Sequence, residues 1–371
     1  MQGVSLITFI AIIYFSFCAL LGCFLLSVKS KNKISNQLFA VFLFLIAIDI
    51  SAYFHNLFLD GFGNLVLAKS LFAYLQMPVL YFYVLSVCFS NFRLRRTHLL
   101  HLLPFFIGNL ILYPRFYSRD KNYINSLWEN FNSIWELIFI HFSVHLQFII
   151  YFILIFLILK RYQKIYQQNF SNTASKTHKW LFQFTLILVI LHIFVIVKSI
   201  LKYVDNESSF PVAQMIVSVG GLLVVIWLVL KALRQPDLFQ SVNSTTDIIE
   251  KKQEARTTQR ATKEIELLRA FMQAEEPYLD ASLSLKDLAN RMQWSPRELS
   301  ILINQNLQQH FFGFVNQYRI EKAMSLLKDP SKSKHTVLEI LYEVGFNSKS
   351  SFNTAFKKHT GLTPTNFRKS T

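Results

Sequence analysis

Charged residues are scarce in this chain, and acidic ones scarcest. Of 371 residues only 16% are Asp, Glu, Lys or Arg, and 22 Asp and Glu stand against 38 Lys and Arg. With 52% hydrophobic and 15% aromatic residues, the sequence is too apolar for an ordinary soluble domain and suits a membrane protein. Cysteine is rarer still: Cys18, Cys23 and Cys88 all lie in apolar stretches. That excludes a disulfide framework and a zinc spacing, and leaves them as small packing residues. No Gly-rich phosphate loop, serine–histidine arrangement or paired-carboxylate site occurs, so nothing demands catalysis, a cofactor or a resident metal. No Lys or Arg precedes the first apolar run, and that run is too long for a secretory signal.

What the chain does have is long hydrophobic runs. Seven are long enough to cross a bilayer as helices, at about 4–27, 36–59, 65–89, 98–114, 134–159, 180–203 and 211–233. The third contains Pro78 and the short fourth contains Pro104. Lys29, Lys31 and Lys33 follow the first run, which predicts an outside N-terminus. The alternate loops then carry 11 Lys and Arg on the inside against 3 outside, and an odd number of spans puts the C-terminus in the cytoplasm of a bacterial inner-membrane protein.

Ionisable residues inside such spans are costly and mark candidate sites. They are Asp49, His55, Lys69, Glu136, His141, His145, His192 and Lys198, nearly all in the outer half by this topology. Asp49, His55, Lys69, His141, His145 and Lys198 are the candidates for a polar sensor cavity; buried pairing of Asp49 with Lys69 or Lys198 is the plainer alternative. His141 and His145 share a helical face as a metal pair would, but no third ligand lies nearby in the sequence. The outside loop 115–132 is aromatic and polar and reads as a lid or an interfacial anchor.

Charge is unevenly placed. Residues 1–235 hold 19 Lys and Arg against 7 Asp and Glu; residues 236–371 hold 19 against 15, and 330–371 hold 7 against 2. Residues 236–263 are a polar linker that is helical or extended, and a weak heptad through Ala255, Ala261, Ile265, Leu268 and Met272 raises a dimerising coiled coil. From 264 onward the pattern becomes that of a compact helical domain. Ser284 and Asp287, then Ser295 and Glu298, then Thr336 and Glu339 each have capping-box spacing. They open short helices whose inward faces are Leu285, Leu288 and Ala289; Leu299, Leu302 and Ile303; and Val337, Ile340 and Leu341. Phe352 and Phe356 of a fourth helix match Leu299 and Ile303, and Phe346 stands where Trp294 stood. The result is a degenerate repeat of two helix-turn-helix units, at about 284–306 and 336–358. The helix 311–328 between them spans roughly 27 Å at 1.5 Å per residue.

Leu299-Ser300, the run from Phe314 to Ile320, Val344-Gly345-Phe346, Phe356-Lys357-Lys358 and the closing Gly361, Thr363-Pro364 and Phe367-Arg368 closely resemble the AraC/XylS DNA-binding domain. The resemblance covers most of the last ninety residues. It implies that Arg297, Ser300, Ile301 and Asn304, and in the second unit Lys349, Ser350, Asn353 and Thr354, face base edges, while Lys357 and Lys358 meet phosphates. Ile301 departs from the polar residue common there, and Arg319 is expected to brace the connecting helix. The whole chain resembles regulators in which a seven-helix membrane region is fused to such a domain. The expected fold is an all-α, polytopic bundle of about seven transmembrane helices followed by this cytoplasmic domain. The expected partners are double-stranded DNA, a lipid bilayer, a second copy of the chain and an unknown small ligand or membrane signal. A transporter or membrane enzyme with a DNA-binding tail is the alternative, and a protein-interaction module is a third.

Overall fold

The computed structural model describes residues 5–28, 33–54, 63–89, 92–119, 123, 134–169, 176–204, 209–234 and 258–370. These are helical, without strands among the described residues. The chain divides into two compact units, Met1–Leu159 with Lys179–Thr245, and Lys160–His178 with Thr246–Thr371. Each is taken by itself.

The first unit is a bundle of α1 (Leu6–Ser27), α2 (Lys33–Ile50), α3 (Gly63–Ser70), α4 (Ala73–Cys88), α5 (Leu103–Leu112), α6 (Trp135–Asn169) as far as Leu159, α7 (Lys176–Val204) from Lys179 onward, and α8 (Ser209–Arg234). Among the described residues seven helical stretches are, by length and composition, long and apolar enough to cross a membrane, from Leu6–Ser27 to Ser209–Ala232. Helix α1 packs against α2 and α8, and α2 against α4. Close approach of α8 to α1 depends on Gly221, where a Cβ would lie 2.6 Å from the Tyr14 ring. One end of the bundle is closed by aromatic rings from four helices. Phe39 stacks on Tyr83 with ring centroids 4.6 Å apart, Phe184 meets Phe39 edge-on, and Trp180 stacks on Phe184 and lies beside Trp227. The outward faces are as apolar as the interior, with Leu110, Leu20, Phe106, Leu157 and Leu223 all exposed.

Two spans keep nearly their expected bounds, Leu67–Cys88 and Arg96–Tyr117, but neither is a single α-helix. The run 65–89, read as one span, is broken at Leu71 and Phe72, where Tyr74 N–H and Leu75 N–H bond to Leu71 and Phe72 carbonyls three residues back. Pro78 lies inside α4, not at the break. The run 98–114 is three helix types in series: a 3₁₀ stretch Arg96–Leu102, then α5, then a π-turn Tyr113–Tyr117. Pro104 sits in the first turn of α5, where its missing N–H costs nothing. Helix α6 also runs past the expected 159, to Asn169. Of the loop 115–132, residues 120–122 and 124–132 lie outside the described residues, as does His55.

The second unit contains α9 (Thr258–Ala274), α10 (Leu285–Arg291), α11 (Pro296–Ile301), α12 (Phe311–Lys328), α13 (Val337–Glu343), α14 (Lys349–Thr360) and α15 (Pro364–Lys369). It has two hydrophobic cores, and α12 supplies both. Phe311, Phe314 and Val315 enter the first with Leu285, Leu288 and Leu299; Ile320, Ala323 and Leu327 enter the second with Ile340, Phe352 and Phe356. The first turns of α12 thus build one head and its last turns the other. Helix α9 begins at Thr258, inside the stretch read as a linker. Its Leu268 and Met272 are fully buried in the first core, with Ile265 packed beside them. Those heptad positions are occupied within the domain, which leaves no free coiled-coil seam through them.

Candidate nucleic-acid interface and bundle cavity

Each head is made by a capped helix, a tight turn and a second capped helix. Ser284 accepts from the Asp287 N–H, and the Asp287 carboxylate accepts from the Ser284 N–H at 3.0 Å. Ser295 with Glu298 and Thr336 with Glu339 repeat the reciprocal arrangement. The first turn passes through Gln293 at φ 56°, after which Trp294 N–H bonds to the Ala289 carbonyl. The second passes through Gly345 at φ 86°, and Phe346 N–H bonds to the Leu341 carbonyl. Such turns swing the second helix of each pair outward from its head.

On α11, Arg297 is exposed, while Ser300, Ile301 and the following Asn304 are half-buried. The Asn304 amide is occupied within the protein: it donates to the Ser300 carbonyl at 2.8 Å, and its oxygen lies 3.2 Å from His310 Nδ1. On α14, Lys349, Ser350 and Thr354 are exposed and Asn353 is half-buried. Thr354 Oγ1 donates back to the Ser350 carbonyl at 2.8 Å. Lys357 and Lys358 are exposed in the last turn of α14, where cations also suit the negative helix end. Each set therefore shares the outer surface of its recognition helix, with Leu299, Phe352 and Phe356 holding the opposite faces.

The two heads are tied by Arg319, which is fully buried. Its Nε donates to the Tyr278 carbonyl at 2.6 Å, Nη2 to the Asp280 carbonyl at 2.8 Å and Nη1 to Asn316 at 3.3 Å. The guanidinium also lies over the Phe346 ring at 5.6 Å, so one side chain touches the floor of the first head and the turn of the second. Burial lowers its pKa to about 10, opposed by Asp280, so it stays charged at neutral pH. The Asp280 carboxyl is itself held below the usual range, first by the Ser282 hydroxyl and N–H and then by Arg291 and Arg319. The sequence reading of Arg319 as a brace on α12 missed this span across both heads, because its partners are backbone carbonyls about forty residues away.

In the bundle, Asp49, His141, His145 and Lys198 come together around a cavity of about 420 Å³. It lies at the end opposite the aromatic closure, between the C-terminal turns of α2 and α7 and the N-terminal turns of α6. Lys69 does not line it; its Nζ donates to Ser51 Oγ at 3.0 Å. Glu136 pairs with Arg115 at 3.0 Å. His145 Nε2 lies 2.9 Å from Ser199 Oγ, and the His141, His145 and His192 rings follow one another at 5.0 and 5.2 Å. His192, Gln76 and Lys202 complete the wall. Of these, the sequence offered only His192 as an ionisable span residue, since its place beside His145 depends on which helices pair. Among the described residues no group of three or more His, Cys, Asp or Glu has the geometry of a metal site.

Paired helix-turn-helix heads on a shared helix define a class of DNA-binding module. Residues 288–370 match the family model described as "Helix-turn-helix domain", and the C-terminal domain is of the AraC type. The chain is 33% identical over 87 residues to the uncharacterized HTH-type transcriptional regulator YdeC of Bacillus subtilis (strain 168), covering 24% of this chain and 29% of that one. It is 38% identical over 90 residues to the uncharacterized transcriptional regulatory protein YesN of the same strain, covering 24% of each. Among solved structures, the C-terminal domain of AraT, a response regulator from Geobacillus stearothermophilus, is 31% identical, covering 29% of this chain and 84% of that one, with a TM-score of 0.26. The chain thus spans about a quarter of the length of the curated relatives it matches.

Proposed function

We propose that this protein is a membrane-embedded bacterial transcription regulator. The observation that carries the reading is one chain with two parts: an AraC-type domain with two outward recognition helices, and a bundle of seven apolar helices with apolar outer faces. The bundle sits in the cytoplasmic membrane with its cavity toward the outside. Lys33, Arg93, Arg95, Arg96 and Lys179 follow or precede in sequence the helix ends that carry the aromatic closure, and the positive-inside rule assigns that end to the cytoplasm. Helix α8 ends at that same end, so the chain leaves the bundle on the side where DNA is. Arg297, Ser300 and Ile301 of the first head and Lys349, Ser350, Asn353 and Thr354 of the second face base edges; Asn304 orders its helix as much as it reads DNA. Lys357 and Lys358 neutralise phosphates. A helix of 18 residues sets the heads roughly 27 Å apart, close to one turn of duplex, so both reach major grooves on one face. Two copies side by side in the membrane would bind a two-part site by avidity, and a ligand in the cavity would change their spacing or orientation.

Full-length protein in nanodiscs tests the DNA part. Lys357→Ala with Lys358→Ala is expected to weaken duplex binding on all sequences alike and to lower the slope of log affinity against log salt by about 1.8, or roughly 0.9 per phosphate contact. Arg297→Ala and Asn353→Ala are expected to flatten sequence preference and leave the salt slope nearly unchanged. Equal salt slopes for the unaltered protein and the double-lysine variant would remove those lysines from the interface.

A further inference from the structure

We infer that the groove between α5 and α6 seats one acyl chain of an inner-leaflet phospholipid, whose anionic headgroup is bound by Arg93, Arg95 and Arg96. The groove measures about 470 Å³ and shares no residue with the polar cavity. Its rim residues Leu100, Ile107, Phe139, Leu146 and Ile150 are exposed, so it opens on the outer face of the bundle. Three pairings occupy most of the polar atoms on its floor: Tyr74 Oη with Ser143 Oγ, Gln147 Nε2 with the Tyr74 carbonyl, and His101 Nδ1 with Tyr151 Oη. The remaining wall is hydrocarbon, which suits a lipid chain and no polar ligand. From Tyr151 to Phe139 one wall follows α6 for roughly 18 Å at 1.5 Å per residue. That is close to half of the about 30 Å hydrocarbon core of a bilayer, the depth of one leaflet.

Charge selects the head. Just before the 3₁₀ turn that supplies Leu100 and His101, the chain runs through Arg93, Arg95 and Arg96, all exposed and none in an ion pair among the described residues. No Asp or Glu occurs between Asp60 and Asp120 to neutralise them. The segment is pinned at both ends. Phe92 and His98 stack with ring centroids 5.7 Å apart, and both lie on Phe82 of α4, at 6.3 and 4.8 Å. His101 meets Phe82 edge-on at 5.0 Å and hydrogen-bonds with Tyr151 of α6. The arginines are thus held at the end of the groove that Tyr151 marks, which is the inner end because α6 runs inward. Guanidinium groups fork onto phosphate oxygens. A choline head carries its own cation and cancels the phosphate charge, whereas an anionic head leaves it to the arginines.

The inference rests on the membrane reading proposed above, and its test separates the two. Full-length protein is stripped of native lipid in detergent and mixed with equimolar phosphatidylglycerol and phosphatidylcholine of identical chains. Native mass spectrometry then counts the lipids retained. One phosphatidylglycerol per chain is expected, favoured at least fivefold over phosphatidylcholine. Arg95→Gln with Arg96→Gln should cut that preference at least threefold. Lys33→Gln with Lys179→Gln removes as many cations from the inner side and should leave it unchanged. Leu146→Trp with Ile150→Trp, which fills the groove from its rim, should cut phosphatidylglycerol retention at least fivefold. Thermal unfolding of each variant separates lost binding from lost fold. Equal retention of the two lipids overturns the proposal and leaves the membrane reading standing. An equal loss in the lysine pair, full retention in the filled groove, or displacement by glycerol phosphate, a head without chains, also overturns it. A chain that stays in solution without detergent overturns both.

Discussion

Arg319→Ala is expected to destabilise the DNA-binding domain by roughly 3–5 kcal/mol. The estimate takes about 1–3 kcal/mol for the buried Tyr278 carbonyl left without a donor and a smaller loss at the Asp280 carbonyl, which keeps the Leu283 N–H, and adds the cavity left by a large side chain. That is a large share of the about 5–15 kcal/mol that holds a typical domain together. Hydrogen exchange on the full-length protein reads it directly: amides of α12, α13 and α14 should exchange roughly a hundredfold faster or more. Arg319→Lys keeps a charge and a stem but cannot fork to two carbonyls, so it should recover only part of the protection. Unchanged protection in the alanine variant would mean that Arg319 does not hold the heads together.

Gly345→Ala strikes the same joint from the other side. Gly345 sits at φ 86°, where a side chain costs roughly 1–3 kcal/mol. A Cβ there would also lie 2.6 Å from the Tyr278 carbonyl and 2.7 Å from the Leu279 carbonyl, and backbone cannot step aside as a side-chain tip can. Gly361 is the control. It has a similar φ of 77° but nothing within 4 Å of a would-be Cβ. Gly361→Ala should therefore show the conformational cost alone, and the excess in Gly345→Ala measures the overlap. The excess should appear as faster exchange in segment 277–280 and as weaker DNA binding, since the second recognition helix follows directly from this turn. Because Arg319 and Gly345 press on one segment, the double variant should cost less than the two single effects added. Equal costs at Gly345 and Gly361 would show that the close approach carries no energy.

The DNA-binding domain was legible because its information is local. Ser284, Ser295 and Thr336 announce helix starts by a spacing of three residues, and Gly345 and Gly361 announce turns and ends. The connecting helix keeps the bounds expected of it, and its buried face adds Ile320, Asn316 and Arg319 to the apolar residues Phe311, Phe314, Val315, Ala323 and Leu327 that its periodicity named. What the sequence withheld depends on long-range contact. That Arg319 spans both heads follows from carbonyls about forty positions upstream and from the Phe346 ring downstream. The heptad through Leu268 and Met272 fits a coiled coil equally well until the first core is seen to contain them. In the bundle, hydropathy marked the spans but not their interruptions, because the residues at the break, Leu71 and Phe72, are as apolar as their neighbours. Four of the candidate cavity residues lie together; Lys69 turns to Ser51 instead, and His192 and Lys202 join only once α6 and α7 are set side by side.

A genome-wide DNA occupancy map of the full-length protein in its own cells, beside an Arg297→Ala, Lys349→Ala variant present in the membrane at the same level, tests regulation from the membrane most directly. Discrete peaks that share a two-part site and vanish in the variant are expected. Peaks retained in the variant, or none for the unaltered protein, would contradict it.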